Sequence, residues 1–367
     1  MKRIRYGRIA ALAAASALAL TACGNDPGGT PAGSGGGSEQ ESSLSGELNG
    51  AGASSQEAAM NAWKSGFGSQ NPDVTVNYDP VGSGGGRTQF GEGAVDFAGS
   101  DAVMDDEERA KAKERCGSDA IHLPMYVSPI AVVYNLQGVD GLQLSPATVA
   151  GIFDRKITKW NDPKIAADNP DAKLPSSNIT PVNRSDESGT TQNFTDWLSV
   201  TAGPAWPHEA SGEWPLKGGQ SAQGTSGIIQ TVQGGQGTIG YADHSQAGSL
   251  GVAKIKVGDQ YVEPTAEGAA KVVEESPKVE GAPEHDLAIQ IKRDITTPGA
   301  YPVVLVSYVI VCEKYSDKDK GDLVKAFVGY IGSAEGQKAA ADAAGSAPIS
   351  DKMSSDVKAS VDSITAG

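Results

Sequence analysis

Residues 74–101 read VTVNYDPVGSGGGRTQFGEGAVDFAGSD, and this stretch contains two predicted strands with a short helix between them. Residues 74–78 alternate apolar and polar side chains, which indicates a strand with one buried face. A glycine-rich loop at 82–86 precedes a short helix that ends near Phe90, and residues 95–98 form the next strand. A strand, a helix and a second strand in this order favour an α/β fold with a largely parallel sheet.

The rest of the chain continues this alternation. Residues 47–49 predict a strand and 50–53 a turn; Ala59, Trp63 and Phe67 then repeat at helical spacing. Further extended stretches are expected at residues 121–135, 179–184 and 302–312. The sequence therefore predicts alternating strands and helices along its length.

The composition limits the class of protein. The chain has 367 residues, of which 38% are hydrophobic, and such a length is typical of about two domains. The net charge of -15 argues against nucleic acid as a partner and against electrostatic docking on anionic lipid. The uncharged runs are too short for a helix that crosses a membrane.

The N-terminus predicts an exported protein. Lys2, Arg3, Arg5 and Arg8 precede an uncharged stretch at 9–22, so residues 1–22 are expected to be a signal peptide. The following Cys23 completes a sequence that resembles the lipobox of bacterial lipoproteins, in which the thiol receives a lipid; an ordinary signal peptide with a chance cysteine is the alternative. Residues 23–46 are rich in Gly, Ser and Pro and are expected to be a flexible linker.

Two further cysteines, Cys116 and Cys312, remain after Cys23. In an extracytoplasmic protein, two remaining cysteines favour one disulfide bond. Two buried free thiols are the alternative.

Four polar loops share one chemistry. They lie at residues 53–55, 82–86, 99–101 and 184–190; each follows a predicted strand and three precede a helix. A helix N-terminus offers unpaired N–H groups and a partial positive charge, and serine or threonine adds a hydroxyl donor. Such loops suit a small tetrahedral oxyanion. Taken singly, each is also explained as a turn with a Ser or Thr N-cap.

From about residue 46 to its C-terminus, the chain resembles the phosphate-binding component of bacterial phosphate ABC importers, the PstS family. The resemblance depends on the order of six motifs: GAGASS at 50–55, VGSGGG at 81–86, VDFAGSD at 95–101, KITKW at 156–160, RSDESGT at 184–190 and GTIGY at 237–241.

The resemblance implies a phosphate-binding set on eight residues of this sequence: Ser54, Ser55, Ser83, Asp101, Arg184, Ser188, Gly189 and Thr190. It also implies that Asp186 supports Arg184. Ser55 replaces an aromatic residue that the family usually has, although its backbone N–H can still donate. No catalytic residue, metal or cofactor is implied.

An acid in an anion site has a chemical reason. Phosphate near neutral pH carries at least one proton, which Asp101 can accept in a hydrogen bond, whereas sulfate carries none. Against sulfate the buried carboxylate would stay unpaired, and this costs free energy. Asp101 is therefore expected to select phosphate.

The resemblance also implies the architecture and the partners. It implies a two-lobed periplasmic-binding-protein-like fold of class II, with lobe I at 47–128 and 304–367 and lobe II at 129–303. Crossing strands are expected near 127–130 and 302–306. The expected protein is a monomer that binds inorganic phosphate, meets the transmembrane permease of an ABC importer, and is held at the outer face of the cell membrane by its lipid.

Two other functions stay open. One is a receptor for another oxyanion, such as sulfate or molybdate, and the other is a secreted phosphoester hydrolase. The sequence has no G-x-x-x-x-G-K phosphate loop and no G-x-S-x-G nucleophile elbow. The four histidines, His122, His208, His244 and His285, lie far apart in the sequence and are expected at the surface or as caps rather than as metal ligands.

Overall fold

The computed structural model describes residues 44–367, so the expected signal peptide, Cys23 and most of the expected linker lie outside the described residues. The strands are Gly46–Gly52 (β1), Val74–Asp79 (β2), Phe97–Ser100 (β3), Ala120–Asn135 (β4), Gln143–Leu144 (β5), Thr180–Arg184 (β6), Gln220–Ala222 (β7), Thr238–Asp243 (β8), Gly251–Val252 (β9), Lys254–Val257 (β10), Gln260–Val262 (β11), Val304–Cys312 (β12), Lys314–Tyr315 (β13) and Thr365–Ala366 (β14).

Helices alternate with these strands along the described chain. They are Glu57–Gln70 (α1), Ser83–Gly91 (α2), Asp106–Cys116 (α3), Pro146–Phe153 (α4), Pro163–Asp168 (α5), Gly189–Thr201 (α6), Gly224–Gly234 (α7), Ala266–Glu274 (α8), Lys318–Gly332 (α9), Ala334–Ala344 (α10) and Asp351–Ser363 (α11). Among these helices, none combines the length and apolar character that a membrane crossing requires.

One long strand is shared by two sheets. The first sheet has the order β2-β1-β3-β12-β4, and the second continues from β4 through β8 and β6 to β7. Within β4, Pro129 pairs with Val304 of β12, whereas the next residue, Ile130, pairs with Asp243 of β8. The strand therefore leaves one lobe and enters the other within residues 127–130, which is where a crossing was expected.

Each sheet lies at the centre of an α/β lobe. In the first, β1 runs parallel to β2 and β3, while β12 is antiparallel to β3 and β4. In the second, β6 runs parallel to β7 and β8. The expected two-lobed α/β fold, with strands that cross between the lobes, is confirmed.

Residues 286–287, which precede the second crossing in the sequence, contact the first lobe. Leu287 N donates to His122 O at 3.0 Å, and Arg109 Nη1 lies 2.6 Å from Asp286 Oδ2. Both partners belong to the first lobe, so residues 286–287 pack on it, although the expected lobe II range of 129–303 includes them. The buried Asp286 carboxylate accounts for this contact, because it pairs with first-lobe Arg109 and accepts a hydrogen bond from the backbone N–H of His122.

The first strand is longer than expected. Residues 50–52 continue β1, although the glycines there predicted a turn. A Cβ on Gly50 would come within 2.2 Å of the Phe97 ring, so glycine lets the neighbouring aromatic side chain lie flat against the strand. Side-chain packing between strands outweighs the local turn tendency here.

The structure bonds Cys116 to Cys312. Cys116 is the last residue of α3 and Cys312 is the last residue of β12, 196 residues later in the sequence. The bond therefore ties a helix of the first lobe to the strand that returns the chain to this lobe.

Candidate functional site

Four helix N-termini meet in the cleft between the lobes. Helices α1 and α2 belong to the first lobe, and α6 and α7 to the second. Each presents backbone N–H groups without intrahelical partners and the positive end of a helix dipole, so the cleft favours an anion. The expected site residues lie at these N-termini or at strand ends beside them; those with side chains are Ser54, Ser55, Ser83, Asp101, Arg184, Ser188 and Thr190, all at most 4% exposed.

Asp101 lies at the centre of a hydroxyl cluster. Its Oδ1 accepts hydrogen bonds from Ser55 Oγ and Ser307 Oγ, both at 2.6 Å. Its Oδ2 accepts one from Thr190 Oγ1 at 3.0 Å. Ser55 and Ser307 come from the first lobe and Thr190 from the second, so the carboxylate joins the two lobes.

Two opposing effects act on the pKa of Asp101. Burial raises the pKa, because the charged form loses its hydration. Hydrogen bonds from Ser307, Ser55 and Thr190, together with the charge of Arg184, lower the pKa. Burial is the larger effect, and the pKa stays above its ordinary value of 3.8.

The lobes also approach each other closely at Gly189. A Cβ there would lie 2.6 Å from Ser83 Oγ and 2.8 Å from Asp101 Cβ. Ser83 begins α2, and its Oγ accepts a hydrogen bond from Asp101 N at 3.1 Å. The second-lobe helix α6 can therefore touch the first lobe because its first residue has no side chain.

Ser54 also contacts the opposite lobe. Its Oγ accepts a hydrogen bond from Thr225 N at 3.0 Å and lies 3.1 Å from Thr225 Oγ1. Gln246 Nε2 donates to Ser54 O at 3.1 Å. The N-terminus of α7 therefore faces the N-terminus of α1 across the cleft.

Arg184 is held by a carboxylate two residues away. Its Nε donates to Asp186 Oδ1 at 2.8 Å, and its Nη2 donates to Asp186 Oδ2. Burial alone would raise the pKa of Asp186, but the bonds and charge of Arg184 and the Gly224 N–H lower it below its ordinary value. Tyr241 OH accepts from Arg184 N at 3.2 Å, which places β8 of the GTIGY motif behind the arginine.

The loop between β6 and α6 is anchored from both sides. Ser188 caps α6 by accepting from Thr191 N at 3.2 Å. Behind the helix, the ring of Phe194 stacks on Tyr241 with centroids 4.4 Å apart. Apolar packing thus fixes the helix, and the cap fixes the loop that faces the cleft.

An ion pair spans the mouth of the cleft. Arg87 on α2 donates from Nε to both carboxylate oxygens of Glu108 and from Nη2 to Glu187 Oε1 at 2.6 Å. Glu187 lies in the second-lobe loop between Asp186 and Ser188. Arg87 therefore connects the first lobe to the loop that carries the expected anion ligands.

All eight expected binding residues line this cleft, and Asp186 contacts Arg184. Sequence reasoning missed several other polar residues that the structure places here: Arg87, Glu187, Asn193, Thr225, Gln246 and Ser307. Two of them carried a usable signal. Ser307 interrupts the apolar stretch 304–312, and Gly224-Thr225 begins a helix directly after a strand, as the other loops do.

The histidines have no metal-binding arrangement in the described chain, where no group of three or more His, Cys, Asp or Glu side chains could hold an ion. His122 is fully buried, although a surface or capping position was expected. Its Nε2 accepts from the loop residue Met104 N at 3.1 Å while Nδ1 lies 3.0 Å from Asp286 Oδ1, and the N-cap of the following helix α3 is Asp105. This contact holds the loop that follows Asp101.

The chain is similar in sequence to one protein superfamily and to phosphate-binding proteins of Mycobacterium tuberculosis. Residues 37–335 match the PBP superfamily domain. The chain is 37% identical to phosphate-binding protein PstS 3 of Mycobacterium tuberculosis, over 99% of this chain and 100% of that protein. It is 36% identical to PstS 2 of the same organism, over the full length of both.

Comparison with solved structures shows the fold. The structure of a high affinity periplasmic phosphate-binding protein, PfluDING, bound with phosphate, matches with a TM-score of 0.71 at 21% identity, covering 86% of this chain and 93% of that one. A phosphate-binding protein from Stenotrophomonas maltophilia matches with a TM-score of 0.68 at 20% identity, covering 86% and 94%.

Proposed function

The chain belongs to the PstS family of phosphate-binding proteins, and we propose that its cleft binds inorganic phosphate outside the cytoplasm for delivery to an ABC importer. Its relatives PstS 3 and PstS 2 are named as phosphate-binding proteins, which supports this ligand. The observation that carries the proposal is the position of Asp101, a buried carboxylate that accepts hydrogen bonds from hydroxyl groups of both lobes.

The proposed ligands are the hydroxyl and backbone N–H donors at the helix N-termini together with the guanidinium of Arg184. Their residues are Ser54, Ser55, Ser83, Arg184, Ser188, Gly189 and Thr190, with Asp101 as the acceptor. Because these donors come from both lobes, phosphate contacts more of them when the cleft is closed. A ligand with more contacts in one state shifts the protein toward that state.

Asp101 provides the selection. A carboxylate has about four lone-pair positions, and Ser55, Ser307 and Thr190 occupy three of them. One position on Oδ2 remains for a proton of phosphate. Sulfate has no proton to offer, so it would place an oxygen against this carboxylate without a hydrogen bond and would be excluded.

Arg184 contributes oriented N–H donors to the site rather than a net positive charge. Asp186 pairs with its guanidinium and offsets its positive charge locally. The chain as a whole carries a net charge of -15, so long-range attraction does not explain anion binding. The affinity would come from the oriented N–H and O–H groups in a cleft that excludes water.

From membership of the PstS family we also propose the oligomeric state, the partner and the location of the protein. The protein acts without catalysis, as a monomer, and its partner is the transmembrane permease of a phosphate importer. A lipid on Cys23, outside the described residues, would hold it at the outer face of the membrane, with the expected linker that begins at Cys23 as a tether.

The test is a calorimetric titration of the full chain, freed of bound anions, with phosphate, sulfate and molybdate, beside a phosphomonoesterase assay. We expect saturable 1:1 binding of phosphate, no binding of sulfate or molybdate at the same concentrations, and no turnover. Tighter binding of sulfate or molybdate would assign a different oxyanion, and turnover of a phosphoester would refute the receptor role.

A further inference from the structure

The side chain of Asn193, on α6, reaches across the cleft. It lies one helical turn after the loop at residues 184–190. The Asn193 Nδ2 group donates to Asp101 O at 2.7 Å and to Gly189 O at 2.8 Å. Asp101 belongs to the first lobe and Asn193 to the second. The bond to Asp101 therefore exists only while the lobes are closed.

The orientation of this amide is set by a buried arginine. Arg293, 4% exposed, donates from Nη2 to Asn193 Oδ1. A guanidinium has donors and no acceptor, so Asn193 must turn its oxygen toward Arg293. Its NH₂ group then has to face Asp101 O.

Arg293 is itself fixed at the second crossing. Its Nη1 donates to Pro302 O at 3.1 Å and to Val304 O at 2.7 Å, at the start of β12. Its Nε donates to Asp196 Oδ2 on α6 at 2.8 Å. The guanidinium thus connects the start of β12, at the second crossing, to α6, the helix that follows the loop at residues 184–190.

We infer that Asn193 is a closure latch and that Arg293 is the positioning residue that aims it at Asp101. The inference rests on the proposed function and deepens it, because it assigns residues that control how long the closed, loaded cleft persists. The latch bond forms after the anion has entered the open cleft. Loss of the latch should therefore raise the dissociation rate of the anion and leave its association rate unchanged.

Asn193→Asp separates the latch from simple support of the fold. The variant keeps the size of the side chain and gives Arg293 an anionic partner, so the contact with Arg293 remains. On its other side it places a carboxylate oxygen against Asp101 O and Gly189 O, where a donor is needed. We expect the phosphate dissociation rate to rise about 10-fold or more.

Asn178→Asp is the matched control, because Asn178 is exposed in the second lobe and undergoes the same chemical change. The experiment measures association and dissociation rates of phosphate by stopped-flow fluorescence for the full chain, together with melting temperatures without ligand. Dissociation rates of Asn193→Asp and Asn193→Ala within twofold of wild type would overturn the latch. Failure of the wild type and of Asn178→Asp to bind phosphate would instead refute the proposed function, and the inference with it.

A second set of variants tests Arg293. If Arg293 acts through Asn193, Arg293→Met and Asn193→Ala should each raise the dissociation rate, and the double variant should dissociate no faster than the faster single variant. Additive effects would show that Arg293 acts separately and would overturn its positioning role. Where Arg293→Met does not fold, the two Asn193 variants still decide the latch.

Discussion

Arg87 Nη2 lies 2.6 Å from Glu187 Oε1, and this ion pair joins the two lobes at the mouth of the cleft. The Arg87 side chain is 4% exposed and that of Glu187 is 42% exposed. Arg87 has a second partner, Glu108, inside its own lobe. Its charge therefore stays paired when the lobes open, and Glu187 becomes solvated.

The first prediction concerns this pair. Glu187→Gln should raise the phosphate dissociation rate about 5-fold, since a partly exposed ion pair contributes modestly to the closed state. The affinity of the wild type should also fall more steeply with added NaCl than that of the variant, because salt screens the pair. Stopped-flow and calorimetric measurements at two NaCl concentrations check this. Glu114→Gln, an exposed change on α3, is the control; equal salt dependence in all three proteins would contradict the prediction.

Gly189→Ala should prevent full closure. The added Cβ would lie 2.6 Å from Ser83 Oγ and 2.8 Å from Asp101 Cβ, so either the lobes separate or the loops shift. We expect phosphate affinity to fall about 10- to 100-fold, with little change in the melting temperature without ligand. Gly68→Ala on α1, where the new methyl meets no atom within 4 Å, should bind as wild type does. Unchanged affinity of Gly189→Ala would show that the cleft does not need this close approach.

Asp101→Asn should reduce discrimination between phosphate and sulfate. The amide keeps one oxygen for Ser55 and Ser307, and it replaces the repelling carboxylate oxygen with an NH₂ group that can donate to sulfate. We expect phosphate to bind more weakly and the ratio of the two affinities to fall about 10-fold or more. Competition titrations measure the ratio, with the exposed Asp73→Asn as a control. A ratio equal to that of the wild type would remove Asp101 from the selection.

A buried carboxylate at the first crossing predicts an unusual dependence of stability on pH. Asp243 Oδ1 accepts from Tyr126 OH at 3.1 Å and from Ser245 N and Oγ at 3.0 and 2.6 Å. Burial raises the pKa of Asp243 to about 6, although these hydrogen bonds oppose the rise. Between pH 4 and 6 the folded state thus holds a proton that the unfolded state has released.

The free energy of unfolding should therefore decrease by about 2 kcal/mol from this group as the pH rises from 4 to 6, and level off above about pH 7. Asp243→Asn mimics the protonated acid and should lack this contribution, so its stability relative to wild type should increase over the same interval. Urea unfolding between pH 4 and 8 checks the difference, with exposed Asp259→Asn as a control. Parallel profiles for wild type and Asp243→Asn would contradict the assignment.

Much of the site could be predicted because its residues lie at strand ends and helix N-termini, which can be recognised from a few neighbouring residues in the sequence. Serine and glycine at the ends of strands predict loops and helix caps, and these residue types line the cleft in the structure. The expected fold class followed from alternation of strands and helices and from the order of the motifs. Where a local pattern failed, at residues 50–52, contact with a distant residue decided the outcome: the Phe97 ring lies beside Gly50 and the residues continue β1.

The sequence by itself determined the elements, the donors at their ends and the family, since each depends on spacing over a few residues. The tertiary structure alone decided which donors face one another. Asn193 and Asp101 are 92 residues apart in the chain, and Ser54 and Thr225 are 171 apart, so no local pattern relates them. Their contacts arise because β4 belongs to both sheets and brings the two lobes together, and this long-range geometry places the polar loops around one cleft.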